Sequence, residues 1–180
     1  HTFATRSDTE VILHAWQQWG PECLQRFNGM FAFVLLDYKN NELFAVRDRF
    51  GVKPLYYYKG NDCLYLASEI KQIRTAPGYS LSLNDDAVRQ YLASGAVDYN
   101  DNTFDTSVKY LPQGHYLKID LSGSAHAFTL HKWYTLQPKK WTGGYDEAAD
   151  RLREILTDAV NVRLRSDVPV GSCLSGGLDS

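Results

Sequence analysis

The sequence predicts an α+β chain in which a sheet-rich part is followed by the opening of an α/β domain, and two observations predict it. From Met30 onward, short apolar, β-branched or aromatic runs at 30–37, 43–48, 55–58 and 64–67 are separated by Lys39-Asn40-Asn41 and Gly60-Asn61-Asp62. Such turn residues tolerate positive φ and join neighbouring strands antiparallel through tight hairpins. Near the other end, Ala148, Leu152, Ile155, Leu156, Ala159 and Val160 recur at helical spacing. A short apolar run over 168–174 then leads directly into Ser175-Gly176-Gly177. It suits a buried parallel strand, so helix, strand and glycine loop follow one another.

The remaining elements fall between these. Ser7-Asp8-Thr9-Glu10 is a capping box and predicts a helix start, with Val11, Ile12, Ala15, Trp16 and Trp19 on one side. Gly20-Pro21 ends that helix, and a short helical turn is expected around 23–27. Ser68 reads as an N-cap for a short helix over 69–75. Asn84 caps another through Ser94, with Val88, Tyr91 and Leu92 inward and Gly95 at its end. A polar loop over 98–105 precedes a hairpin of 115–121 and 126–133 around Ser122-Gly123. Pro, Lys and paired Gly without periodicity make 137–144 the linker candidate.

Composition narrows the class. With 44% hydrophobic residues in 180, the chain can bury a core of one domain or one and a half. A net charge of −2 without like-charge blocks gives no electrostatic reason to expect nucleic acid or a membrane surface as partner, so a small molecule is expected. Cys23, Cys63 and Cys173 fit neither a metal site nor a disulfide framework, which indicates a reducing, cytoplasmic setting. No apolar stretch approaches the roughly 20 residues of a membrane span. His1-Thr2-Phe3 has no initiator Met and Leu178-Asp179-Ser180 falls inside a strand-to-helix connection, so both ends are expected to be internal.

The chemistry concentrates in Ser175-Gly176-Gly177-Leu178-Asp179-Ser180. Glycines after a strand let backbone amides approach phosphate oxygens, and the Ser175 and Ser180 hydroxyls add donors. The segment lacks the Gly-Lys-Ser/Thr ending of the common nucleotide loop, and Asp179 is the candidate Mg²⁺ holder. The plainer reading, a tight strand-to-helix turn, fits the spacing equally. The full hexapeptide resembles the pyrophosphate-binding loop of the ATP pyrophosphatases, in which the preceding residue, Leu174 here, contacts the nucleotide through its backbone.

Upstream, Ser7-Asp8-Thr9-Glu10-Val11-Ile12-Leu13, Phe27-Asn28-Gly29-Met30-Phe31-Ala32-Phe33, Arg47-Asp48-Arg49-Phe50-Gly51-Val52-Lys53-Pro54-Leu55-Tyr56 and Ala67-Ser68-Glu69-Ile70-Lys71 resemble glutamine-hydrolysing asparagine synthetases, in the same order. The resemblance implies an incomplete αββα N-terminal-nucleophile hydrolase sandwich over 1–135, a linker over 136–145, and the first helix and strand of an α/β ATP-pyrophosphatase domain over 146–180. It implies two active sites joined by an ammonia tunnel. In one, an N-terminal Cys attacks the glutamine amide with its own amine as base. In the other, aspartate is adenylated by ATP with Mg²⁺, and ammonia displaces AMP. Glutamine, aspartate and ATP are the implied small-molecule partners, and a homodimer is one assembly open to the parent.

Residue by residue, Asp8 matches the carboxylate that receives the glutamine α-ammonium; as an acid in a helix's first turn it also suits the dipole. Leu174, Ser175, Gly176, Gly177, Asp179 and Ser180 match the ATP and pyrophosphate loop. Arg47 to Gly51 is expected to shape a loop rather than react, Glu69 to support a helix dipole, and Tyr56 to Tyr58 to pack a strand. His14, His115, His126 and His131 match no ligand spacing. The nucleophilic Cys, the Arg for the glutamine carboxylate and the Asn-Gly-Glu segment would all precede His1, so this stretch alone is expected to hydrolyse no glutamine and make no adenylate. Two alternatives stay open: a relative with a different acceptor, and a non-catalytic glutaminase-like module.

Overall fold

The structure, a computed structural model, describes residues 2–61, 63–97, 100–123 and 127–177. The expectations for His126, Asp179 and Ser180 therefore fall outside the described residues. The chain divides between Leu136 and Gln137 into two compact units.

The first unit begins with helix α1, Asp8–Trp19, followed by a 3₁₀ turn, Gly20–Arg26. Ser7 is the N-cap and its hydroxyl accepts from the Thr9 amide at 3.2 Å. Glu10 departs from the expected capping box. Instead of reaching the Ser7 amide, its carboxylate accepts from the Ala4 amide (2.7 Å), the Thr5 amide (2.6 Å) and the Thr5 hydroxyl. Ala15, Trp16 and Ile12 pack inward as expected, whereas Val11 and Trp19 stay exposed, Trp19 lying under the Arg26 guanidinium.

Among the described residues, seven strands make two antiparallel sheets. β1 (Ala32–Asp37), β2 (Glu42–Arg47), β6 (His115–Asp120) and β7 (Phe128–Lys132) form the first, in that spatial order. β4 (Leu64–Ala67), β3 (Tyr56–Lys59) and β5 (Val108–Tyr110) form the second. The β1–β2 turn is fixed by the Asp37 carboxylate, which accepts from the amides of Lys39 and Asn40, each at 3.0 Å, while Asn41 takes φ +55°. Strand alternation then sorts β2 onto two faces. Phe44 and Val46 face Trp16, Cys23 and Leu24, whereas Ala45 and Leu43 join Leu117, Ile119, Leu55, Leu111, Tyr57 and Leu66 between the sheets. Beyond the second sheet, helix α2 (Ile70–Ile73) packs on β3 and β4 and buries Ile73. The layers thus run helix, sheet, sheet, helix.

Three local expectations change. Glu69, not Ser68, is the N-cap of α2: its amide donates to the Gln72 side-chain oxygen and its backbone carbonyl accepts from the Gln72 amide, each at 3.1 Å, so the helix starts one residue later than the serine. β5 forms just after the expected polar loop, because the buried Thr103 hydroxyl and Asp105 carboxylate satisfy the intervening backbone; Thr103 bonds the Val108 and Asp105 carbonyls, each at 2.9 Å. Helix α3 (Asp85–Ser94) has its Asn84 cap and a left-handed Gly95, yet Tyr91 and Leu92 are exposed rather than inward.

The connection between the sheets is held by Arg47-Asp48-Arg49. Asp48 is 2% exposed, and its carboxylate accepts backbone amides from Phe31, Phe50, Val52 and Lys53 at 2.9–3.2 Å. Arg47 donates to the carbonyls of Lys53, Leu111 and Gly51, and Arg49 to those of Phe27, Leu24 and Gln25. Gly51 is required twice over: its φ is +65°, and a Cβ would lie 2.9 Å from the Arg47 Cζ.

In the second unit, helix α4 spans Tyr145–Arg163, and the Glu147 carboxylate accepts from the Gly144 amide at 3.2 Å. The apolar face is the expected one, and Leu152, Ile155, Leu156 and Val160 on it are exposed. No strand forms over 168–174, where Val168, Val170 and Leu174 are exposed. A parallel strand needs a neighbour for its amides and carbonyls, and none among the described residues is paired to this run.

Replacing Asp48 by Ala leaves four amides unanswered and is expected to cost about 3 kcal/mol or more, read as a lower denaturant midpoint; Asp48→Asn, which keeps one acceptor oxygen, should cost less. Glu10 supplies a second outcome. The Ala4 amide, then the Thr5 hydroxyl and amide, hold its carboxyl at about 2, below the usual 4.5. Its stabilisation is therefore present above pH 4.5 and lost as pH falls through about 2. Glu10→Gln should flatten the stability-against-pH curve across that window.

Candidate functional site

Two sets of sequence-predicted residues are placed, one in each unit. Asp8 occupies the first position of α1, immediately after the Ser7 cap. Its side chain is exposed, and no hydrogen bond or ion pair engages it among the described residues. Two positions on, Glu10 is fully engaged by Ala4 and Thr5, and one turn further His14 Nε2 lies 3.8 Å from a Glu10 oxygen. The Phe3 ring stands edge-on to His14 at 5.2 Å. The Ser7 amide donates to the Thr5 hydroxyl at 3.2 Å, so residues 3–7 fold back over the helix start. The arrangement offers a free carboxylate at a helix N-terminus, suited to a cationic group.

In the second unit, Leu174, Ser175, Gly176 and Gly177 are exposed. Gly176 takes φ +78°, which favours glycine, and the Gly177 amide donates to the Ser175 hydroxyl at 3.4 Å. The chain is thus turned so that successive peptide units can face one side, as an anion cradle requires. No group of three or more His, Cys, Asp or Glu that could hold a metal occurs among the described residues.

The first unit also contains an open cavity of about 740 Å³, bordered by Arg47, Arg49, Phe50, Tyr110, His115 and Tyr134 among others. Sequence reading assigned none of these a ligand, and Asp8 is not part of this cavity. Its two arginines are engaged by carbonyls and by aromatic faces, Arg47 over Tyr110 at 5.3 Å and Arg49 over Tyr134 at 5.4 Å. The signal for them was the charge density around Gly51, and it reads as architecture. The described histidines are likewise occupied: His115 Nδ1 lies 2.8 Å from the Gln113 carbonyl, and His131 stacks on Tyr116. Cys23 is buried, which pushes its thiol up to about 11, far from a thiolate nucleophile at neutral pH. Tyr56 and Tyr58 pack against Tyr110 and Tyr65 in the second sheet.

Comparison with known proteins adds the family. A profile described as asparagine synthase matches residues 151–180. The chain is 34% identical over 180 residues to asparagine synthetase (glutamine-hydrolyzing) 3 of Bacillus subtilis strain 168, covering 100% of the chain and 29% of the relative. Asparagine synthetase (glutamine-hydrolyzing) 1 of the same strain is 37% identical over 180 residues, with 100% and 28% covered. Putative asparagine synthetase (glutamine-hydrolyzing) 2 of Methanocaldococcus jannaschii is 38% identical over 181 residues, with 98% and 34% covered. The chain spans about a third or less of the length of these relatives. A profile described as glutamine amidotransferase domain matches residues 1–134, and the chain belongs to that family.

Proposed function

We propose that this chain is part of a glutamine-dependent asparagine synthetase, in which ammonia released from glutamine amidates aspartate activated by ATP. The observation that carries the reading is the order of two family matches on one chain, glutamine amidotransferase over 1–134 and asparagine synthase over 151–180. Relatives named for that activity align across essentially the whole chain. In this reading residues 1–135 supply the glutaminase part, 136–145 the linker, and 146–180 the start of the ATP-binding part.

Asp8 receives the α-ammonium of glutamine. Its carboxylate is exposed and unengaged, so the ion pair forms without first breaking one inside the protein. This reading assigns the attacking thiol to an N-terminal Cys and to none of Cys23, Cys63 and Cys173: Cys23 is buried, and none of the three carries the free amine that serves as base. In the second unit, Leu174 through Gly177, with Asp179 and Ser180, form the ATP and pyrophosphate loop. Positive φ at Gly176 supports that role by turning peptide groups toward an anion. Mg²⁺ would neutralise phosphate charge there, and Asp179 is the residue proposed to hold it.

The test is pyrophosphate release by the full-length protein with ATP, Mg²⁺ and glutamine, with and without aspartate. Aspartate-dependent release matched by asparagine formation supports the synthetase. Release that ignores aspartate points to another acceptor, and no release points to a non-catalytic module. Asp8→Asn should raise the KM for glutamine about tenfold or more while leaving ammonia-supported synthesis unchanged. An unchanged glutamine KM would remove Asp8 from the site.

A further inference from the structure

We propose that Glu10 is a positioning residue for glutamine binding, fastening residues 4–7 so that Asp8 enters α1 in one orientation. The inference rests on the reading of Asp8 given above and extends it to a residue that never touches the substrate.

The hydrogen bonds are not those a helix start needs. A capping carboxylate at this position ordinarily accepts from the amide of the N-cap residue itself. Here the Ser7 amide donates instead to the Thr5 hydroxyl at 3.2 Å, and that hydroxyl donates to the Glu10 carboxylate. The two Glu10 oxygens also take the Ala4 amide at 2.7 Å and the Thr5 amide at 2.6 Å. Glu10 thus holds the chain before the helix, and through Thr5 and Ser7 the hold reaches the residue adjoining Asp8. The helix start is answered separately by Ser7, whose hydroxyl takes the Thr9 amide and whose carbonyl takes the Glu10 amide at 3.1 Å.

The consequence is a division between two acids of one helical turn. Asp8 has no partner among the described residues, so nothing on its own side chain fixes its direction. Its placement is inherited from the backbone at Ser7, and that backbone is tied down by Glu10. The depressed Glu10 carboxyl keeps the tie charged across the neutral range. His14, 3.8 Å from Glu10, and the Phe3 ring against His14 close the far side of the carboxylate. Without the tie, residues 3–7 gain freedom that glutamine binding must remove, which raises KM rather than slowing the reaction of bound glutamine.

The experiment measures glutamine KM and kcat in the full-length protein for Glu10→Gln, Thr5→Val and Asp8→Asn, and for Glu10→Gln combined with Asp8→Asn. Expected are a rise of about fivefold in KM for Glu10→Gln, a smaller rise in the same direction for Thr5→Val, and kcat within about twofold of the parent. In the Asp8→Asn background, Glu10→Gln should add nothing, because the two act as one unit. KM values for Glu10→Gln and Thr5→Val that match the parent would overturn the positioning role, as would a full Glu10→Gln effect persisting without Asp8. If Asp8→Asn itself leaves KM unchanged, the glutamine-site reading fails first, and the positioning role falls with it. Thr5→Val leaves the Glu10 carboxylate and its two amide contacts available, so the proposal stays testable if Glu10→Gln folds poorly.

Discussion

The fold depends on one buried carboxylate. Asp48 sits where β2 leaves the first sheet, and removing a charge from water is costly unless its lone pairs are met. Four backbone amides meet them, one from Phe31 ahead of β1 and three from the turn that leads toward β3. Its own carbonyl takes the Gly114 amide at 2.8 Å at the mouth of β6. The flanking arginines extend the same logic to carbonyls. Arg47 collects those of the turn and of Leu111 after β5, and Arg49 collects those of the 3₁₀ turn under α1. A three-residue run thus ties the 3₁₀ turn after α1 to the start of β1, the turn toward β3 and the end of β5. This explains why so dense a charge cluster belongs to architecture: its donors and acceptors are already engaged by the backbone.

Much of this organisation was legible because it follows from local chemistry. Lys39-Asn40-Asn41 announced the β1–β2 hairpin, and Asn84 with Gly95 bounded α3. What was not legible depends on distant partners. β5 was hidden behind a polar stretch whose Thr103 and Asp105 turned out to be buried acceptors and donors for their own loop. The run over 168–174 has the composition of a buried strand, but composition cannot supply the neighbour that a ladder requires. The inward residues of α3 fail for the same reason: periodicity states which face is apolar, not whether anything covers it.

The candidate site divides along the same line. The glycines of the loop were legible as positions where backbone can come close to an anion, and the structure adds that Gly176 takes φ +78°. Asp8 could not be derived this way. An acid in the first turn of a helix is ordinary, and only the resemblance singled it out. What the structure adds is a contrast between neighbours that share composition and setting but differ in use.

That contrast argues for how such a helix start serves recognition. Two carboxylates on one turn compete for the same backbone donors near a positive helix end. If Asp8 won them, it would be a cap and would be lost to a ligand. Ser7 and Glu10 instead satisfy the donors on both sides, Ser7 within the helix and Glu10 across residues 4 and 5. With those groups answered, Asp8 stays exposed at the first position of α1. The capping side chains therefore do more than begin a helix: they answer the amides of Ala4, Thr5 and Thr9 without drawing on the Asp8 carboxylate.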